Sequence, residues 1–526
     1  MVIGSLLMNA KLSRIFLGFS ILILISTIAW LLWPSPYRVC HIIVTGMGRG
    51  NLYSKIAKFK PYKGKEMGGA SLNATVIKEE TESFVLKNEP YCFLSLGAEL
   101  SGTVEAYMTK GMAVTKAFDA MNLDAMLVGN IDFAFSKERL AELSKQSKLK
   151  FVTSNVWDST TNKAPDYLQE ELILNLDQNL SIGILGLSPV DTPSLTAKED
   201  ISGLTFVEPS LVLKKRVDSV RNRGADIVVL LTQYNKENLD STNWKTIASA
   251  SPDICLMLDT EIEAPIPFVK DGVIVYSISS YNQTKELDFL NLEITKSKPI
   301  EIVGVSSKRI GTNSSEYEED SEMNHIVNEA TKDFRAQRDT VIGTFSCDVS
   351  KSYYAECSIA NMVTDSMLAE TGAEIAFQNS GSIHNDIAEG GFTIGNLYSV
   401  MPFDNRVVTM DLKGIHILEL LKISASRRRG VLQVAGLKYS YSYKNKNDYS
   451  LIDVLINGKP VESDKFYKVV TNSFLADGGD DYLPFTKGIN KVKLGSQREL
   501  FKNYITLQSQ NGSIKPLRYG RIKVED

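Results

Sequence analysis

Between Arg38 and about Lys298 the chain alternates short apolar runs with amphipathic stretches. Residues 40–45, 92–96, 125–128, 150–154, 181–187, 226–232 and 272–277 read as buried strands. Between several of them, 112–121 and 209–222 carry apolar residues at helical spacing. That alternation predicts an α/β domain with helices packed against sheets. The polar stretch 311–324, rich in Ser, Glu and Asp, interrupts the pattern and leads into a charged helix at about 326–339. A second α/β domain is expected from about Val341 onward, opening with a helix at 358–369 and ending in strand-and-turn sequence. The expected organisation is therefore an anchor region at 1–36, a first domain at 37–300, a linker with its helix at 301–340 and a second domain at 341–526.

One segment is apolar on a different scale. From Ile15 to Trp33 the chain is uninterrupted in apolar and small residues, about long enough to span a bilayer. Lys11 and Arg14 precede it, and Trp30 and Trp33 stand at its far end like interfacial anchors. The positive flank predicts a single-pass anchor with its N-terminus in the cytoplasm and the bulk of the chain extracytoplasmic or periplasmic. A cleaved signal peptide is the alternative, opposed by the length of the stretch and the lack of an A-x-A-like site before Pro34.

Composition adds mainly exclusions. At 43% apolar and 23% charged residues the chain is ordinary for a globular protein, and a net charge of -4 with scattered Lys and Arg argues against a nucleic-acid partner. The five cysteines lie far apart without a C-x-x-C, which disfavours zinc-ribbon and thioredoxin chemistry. Cys347 and Cys357 suit a local disulfide in an oxidising compartment; buried free thiols are the equal alternative.

The second domain carries four motifs in order: Glu356-Cys-Ser-Ile-Ala-Asn361, Asn379-Ser-Gly-Ser-Ile-His384, Met401-Pro-Phe-Asp-Asn405 and Asn472-Ser-Phe-Leu-Ala-Asp-Gly-Gly-Asp-Asp-Tyr482. They resemble the E-x-N-L-G-N, N-G-G-G-I-R, L-P-F-G-N and N-x-F-L-A-x-G-G-D-G-Y segments of 5'-nucleotidases. The first domain resembles the calcineurin-like metallophosphatase domain of that family more faintly. Gly68-Gly-Ala-Ser-Leu-Asn-Ala-Thr75 is similar to its G-G-x-A-R-x-A-T helix start, and Leu123-Asp-Ala-Met-Leu-Val-Gly-Asn-Ile-Asp-Phe133 to its Y-D-A-x-x-x-G-N-H-E-F.

The resemblance implies a dinuclear divalent-metal centre that activates water and neutralises phosphoryl charge, and the ligands for one are mostly missing. The D-x-H motif falls on Gly46-Met-Gly48, and the bridging Asp falls on Ala98. In G-N-H-[DE], Asn130 and Asp132 survive as catalytic remnants while the histidine becomes Ile131. A further histidine falls on Gln233, and G-H-S-H falls on Leu258-Asp-Thr-Glu261. Only four histidines exist (His41, His325, His384 and His416), and His41, the one in the first domain, is expected to be a buried structural residue. Asn130, Asp259 and Glu261 remain as weak candidates for an oxygen-ligated cation; no cofactor is expected.

The second domain is less degraded. The resemblance implies a nucleobase held between Phe403 and Phe474, a ribose on Asp480 and a base contact from Asn379. The family's two arginines fall on His384 and Tyr353. His384 carries a charge only when protonated, so the sequence predicts little advantage for a phosphorylated ligand over a nucleoside. The expected function is that of a membrane-anchored, extracytoplasmic pseudoenzyme of the family, binding a nucleoside or nucleotide, or a protein partner in the envelope. An active phosphohydrolase with an altered metal site and an envelope scaffold are the alternatives.

Overall fold

The computed structural model describes residues 35–57, 62–235, 241–259, 265–280, 283–403 and 405–525. The apolar segment 15–33 lies outside the described residues. Among those that are described, no helix is long and apolar enough to cross a membrane.

Two six-stranded sheets form the first domain. In spatial order the first contains Ile302–Gly311, Glu286–Thr295, Tyr37–Thr45, Tyr91–Ser95, Ala125–Leu127 and Lys150–Val152. The second contains Phe268–Lys270, Val273–Ser279, Ile254–Asp259, Ile227–Asn235, Ser181–Leu187 and Leu172–Asn175. Parallel strands occupy the centre of each sheet. They are buried on both faces, which is why runs such as Ile227-Val-Val-Leu-Leu231 are continuously apolar. Ile42, Val44, Leu94, Leu127, Ile184, Val229, Leu256 and Ile278 fill the space between the sheets. Helices Ala70–Leu86, Met112–Ala120, Lys137–Gln146 and Ser321–Arg338 cover the outer face of the first sheet. Pro209–Asn222 and Thr242–Ala250 cover the outer face of the second. The result is a four-layered helix–sheet–sheet–helix sandwich.

The stretch expected as a linker is built into this domain. Ile302–Gly311 is an edge strand paired along Glu286–Thr295. Three of its ten residues are exposed and only two are fully buried, so it lacks the apolar run that marks the central strands. The charged helix begins at Ser321, where the Asp320 side chain accepts the Met323 N–H at 2.7 Å as an N-cap. It buries Met323, Val327 and Ala330 in the first-domain core before handing the chain on.

The second domain is centred on a five-stranded sheet in the order Leu432–Ala435, Ile375–Asn379, Phe466–Asn472, Arg406–Lys413 and Ile489–Ser496. Helices Ser358–Thr371 and Gln497–Ser509 pack on one face. Helix Gly414–Ala425 and a small four-stranded sheet pack on the other. All five cysteines are free thiols, so no Cys347–Cys357 disulfide forms. Cys357 is buried as the residue preceding helix Ser358–Thr371, and its Sγ–H points to the Ser350 carbonyl at 3.8 Å. An ion pair from Lys493 to Glu199 ties the domains together, and one from Arg338 to Glu105 (3.2 Å) holds the end of the helix that hands the chain on.

Candidate functional site

The central parallel strands bring their C-terminal loops to one edge of the sandwich, where an α/β domain places its chemistry. The loop after Tyr37–Thr45 carries Gly46 and Gly48; the loop after Tyr91–Ser95 carries Ala98 and Glu99. Glu99 is 1% exposed. Its Oε2 accepts the Gly48 N–H at 3.0 Å and its Oε1 accepts the Ser95 hydroxyl at 2.8 Å. A Cβ on Gly48 would come within 2.1 Å of Glu99 Oε2. The carboxyl of Glu99 therefore fills the space into which a side chain at position 48 would extend. Burial pushes its pKa up to about 8, so at neutral pH it is mainly the uncharged acid.

Gln233 makes a parallel substitution. Its Nε2 donates to the Leu96 carbonyl at 2.9 Å, and its amide fills the space over Gly129, where a Cβ would lie 2.4 Å from both amide heteroatoms. Asp132 is a clamp. Its Oδ2 accepts the N–H groups of Ala98 and Gly129, each at 2.9 Å, and its Oδ1 accepts those of Glu99 (2.9 Å) and Leu100 (3.1 Å). Four main-chain donors from two loops use its acceptor capacity, which makes it a structural residue. Asn130 opens a short 3₁₀ turn, and its carbonyl accepts the Thr196 hydroxyl at 3.4 Å. Asp259 ends its strand buried, with Oδ2 accepting the Ser277 hydroxyl at 3.3 Å; Glu261 lies outside the described residues. Among the described residues no three His, Cys, Asp or Glu side chains gather as a metal site. The donor set does not fit a dinuclear divalent centre. Gly46, Gly48 and Ala98 offer no side-chain donor, Gln233 serves a carbonyl, and Asp132 is saturated by N–H groups. His41 is structural, bonded to Asn291 Oδ1 (2.7 Å) and Glu89 Oε2 (2.9 Å) and stacked on Phe84 at 3.7 Å.

In the second domain Asn379 and Asp480 belong to one hydrogen-bonded unit. Asn379 Nδ2 donates to Asp480 Oδ2 at 2.8 Å, while Asn379 Oδ1 accepts Ser382 Oγ (2.6 Å) and Asn472 Nδ2 (3.1 Å). Asp480 takes a left-handed backbone, φ 55°, which aims its carboxylate back at Asn379. Phe474 lies against the Gly479 backbone, where a Cβ would sit 2.5 Å from its ring. Phe403 is 39% exposed and meets the His384 ring edge-on at 5.0 Å. Tyr353 leans over Gly381 beside Asn379 and Asp480. Burial, reinforced by the positive charges of Lys351 and Arg49, pushes the His384 pKa down to about 4. At pH 7 the ring is neutral, so His384 does not replace the charge of the arginine whose place it takes.

Three residues here stand outside the sequence motifs. Glu99 leaves a signal all the same: an acid within the apolar run Leu96-Gly-Ala-Glu-Leu100 has to be buried with its partners. Arg498 leaves none. It sits in helix Gln497–Ser509, donates to the carbonyls of Met401 (2.8 Å) and Pro402 (2.7 Å), stacks over Tyr398 at 4.0 Å, and so fixes the loop that carries Phe403. Arg429, paired with Asp481 at 3.4 Å, supplies positive charge near Asp480.

The architecture is a double-sheet sandwich followed by a second α/β domain in which an amide and a carboxylate, Asn379 and Asp480, are paired. Residues 310–487 match the family model of the 5'-nucleotidase C-terminal domain. The chain is 22% identical over 489 residues to a 5'-nucleotidase of Vibrio cholerae, covering 84% of this chain and 87% of that one. It is 23% identical over 519 residues to a cell wall protein of Listeria monocytogenes, covering 86% of this chain and spanning 66% of that protein. The crystal structure of a 5'-nucleotidase precursor from Thermus thermophilus superposes with a TM-score of 0.74 at 22% identity, covering 93% of this chain and 99% of that one. Residues 310–487 thus carry the C-terminal domain of 5'-nucleotidases, and the chain as a whole shares the fold of that 5'-nucleotidase precursor.

Proposed function

We propose that this chain is a non-catalytic member of its family, held at the outer face of a membrane by segment 15–33, and that its working site is the second-domain pocket, which takes a nucleoside-like ligand. The observation that carries the reading is Glu99, an uncharged acid filling the space beside Gly48 where the family's metal-ligating histidine would stand. In that place the carboxyl oxygens accept the Gly48 N–H and the Ser95 hydroxyl, and a cation would have to displace both bonds and a proton. In the second domain the Asn379–Asp480 pair and the aromatic rings are retained, and a ring face suits any nucleobase. The extracytoplasmic placement draws on Lys11 and Arg14 before the apolar stretch, and on the kinship with a cell wall protein. It predicts that a reporter fused after Asp526 reads outside.

Purified full-length protein in detergent tests the central claim. Hydrolysis of AMP, UDP-sugars and an aryl phosphate should stay at background with manganese, zinc, cobalt or magnesium, while adenosine raises Tm. Metal-dependent turnover that disappears in Asp259→Ala would overturn the reading in favour of a hydrolase with an altered centre. No Tm shift with any nucleoside at millimolar concentration would favour a scaffold.

A further inference from the structure

Gly48, Glu99 and Asp132 stand in loops at the C-terminal ends of the first-domain strands. The opposite edge of the sandwich is made by the N-terminal ends. Strands Tyr91–Ser95, Ala125–Leu127 and Lys150–Val152 run parallel to Tyr37–Thr45, so their first residues gather there. The turn after Glu286–Thr295 joins them, because Thr295 pairs with Tyr37. The chain enters the domain at this edge. Segment 15–33 ends four residues before Tyr37, and the Lys296 N–H donates to the Pro36 carbonyl at 2.9 Å. Four residues reach at most about 14 Å. With segment 15–33 seated in a bilayer, this edge is held against the headgroup layer.

The side chains of the edge suit that position. Its acids are committed inside the protein. Asp124 accepts the Phe93 N–H at 2.8 Å, Asp177 pairs with Arg38, Asp226 with Lys298 at 2.9 Å and Asp253 with Arg221 at 3.0 Å. Lys87, Lys148, Lys150 and Lys296 are exposed at three strand ends, and among the described residues they pair with no acid. Exposed Glu301 offsets only one of these charges. Val85 and Leu86 close helix Ala70–Leu86 at the same edge, 66% and 87% exposed. A lone exposed leucine is ordinary. An adjacent apolar pair flanked by free lysines is the chemistry of an interfacial contact, with apolar atoms among the headgroups and cations on their phosphates.

We propose that this edge is a membrane-contact surface. Val85 and Leu86 enter the headgroup layer of the bilayer that holds segment 15–33, and Lys87, Lys148, Lys150 and Lys296 engage anionic phospholipid headgroups. The contact rests on segment 15–33 being the anchor. It fixes the orientation of the molecule. The nine residues of Tyr37–Thr45, at about 3.3 Å each, carry the loops of Gly48 and Glu99 roughly 30 Å farther from the lipid. The second domain joins the first at that distant end. Helix Thr192–Leu195, which follows strand Ser181–Leu187, packs on the 3₁₀ turn Gly479–Asp481 that carries Asp480. The second-domain pocket therefore draws on the aqueous side, and its ligand is a water-soluble molecule rather than a lipid headgroup.

Full-length protein reconstituted into vesicles tests the contact by flotation and by amide hydrogen exchange. It should float with neutral phosphatidylcholine vesicles as well as with phosphatidylglycerol-rich ones. Exchange in 85–89, 148–150 and 296–299 should be about threefold slower or more with the anionic vesicles than with the neutral ones, and high salt should remove most of that difference. Lys87→Glu, Lys148→Glu and Lys296→Glu together should abolish it, and Leu86→Glu should weaken it. These side chains are exposed, so the fold is kept. Protein that floats with both vesicles but exchanges equally at these loops overturns the contact surface and leaves the anchor standing. Protein that does not float with neutral vesicles overturns the anchor; protection of the same loops by anionic vesicles then still upholds the contact, and its absence overturns both. Protection that is unchanged in the triple lysine variant, or that is matched at the loops of Gly48 and Glu99, overturns the proposal.

Discussion

The two domains preserve the same inheritance in opposite ways. At the strand ends of the first, polar groups are committed to main-chain and side-chain partners within the protein. Asp132 gathers four main-chain N–H groups, Gly46, Gly48 and Ala98 have no side-chain donor, and Gln233 serves the Leu96 carbonyl. In the second domain the polar unit Asn379–Asp480 persists beside exposed aromatic surface, and it is the loops around it that have changed. Glu99 fills the space beside Gly48 with a carboxyl bonded to the Gly48 N–H and the Ser95 hydroxyl, so these buried donors are satisfied within the protein.

That contrast can be broken most severely at Asp132. Replacing it with Ala removes the acceptor of four buried N–H groups and should destabilise the protein by on the order of 3 kcal/mol or more, read by urea unfolding. A loss below about 1 kcal/mol would mean that the loops hold themselves. In the second domain, Phe474→Ala should leave the unliganded Tm nearly unchanged and abolish the shift produced by adenosine. In the unmodified protein that shift corresponds to about 2.7 kcal/mol at a hundredfold excess over Kd. A preserved shift would remove Phe474 from the pocket.

Gly48→Ala sharpens the account of the filled cavity. Its Cβ meets the Glu99 carboxyl and the Thr284 methyl, so a loss of about 1–3 kcal/mol is expected. Combined with Glu99→Ala the two effects should be strongly non-additive; simple additivity would mean that the Cβ and the carboxyl do not share that space.

A smaller effect concerns pH. The Glu99 pKa is raised from 4.5 unfolded to about 8 folded. Between those values the unfolded chain has released a proton that the folded chain keeps, so this group makes stability fall as pH rises through the window, and the loss is complete above about pH 8. Glu99→Gln should therefore flatten that decline and gain stability relative to the unmodified protein at pH 8 compared with pH 5. An unchanged slope would show that Glu99 ionises freely. The smallest expected effect is none: EDTA should leave Tm unmoved, and a drop on chelation that zinc or manganese reverses would reinstate a metal centre.

Much of the fold is legible in the order of the residues. Continuous apolar runs reveal parallel strands because both faces of such strands are buried, and helix Pro209–Asn222 stands at its expected bounds. The edge strand Ile302–Gly311 is hidden, because a strand with one wet face has polar residues in half its positions and imitates a linker. The loss of metal ligands can be read residue by residue, since glycine and alanine lack donors in any fold. What replaced them cannot, because Glu99 is distant in sequence from Gly48 and becomes its neighbour only when parallel pairing sets Thr45 beside Ser95. The same holds for Asp132, which by sequence is a remnant of a catalytic motif and by its four N–H partners is a clamp. The neutrality of His384 likewise depends on burial and on two cations brought from separate segments of the chain. Residue identity is local, and so the sequence alone determined which positions lack a side-chain donor. Desolvation and hydrogen-bond partnership arise from distant segments meeting, and only the tertiary structure decided what each remaining polar group does.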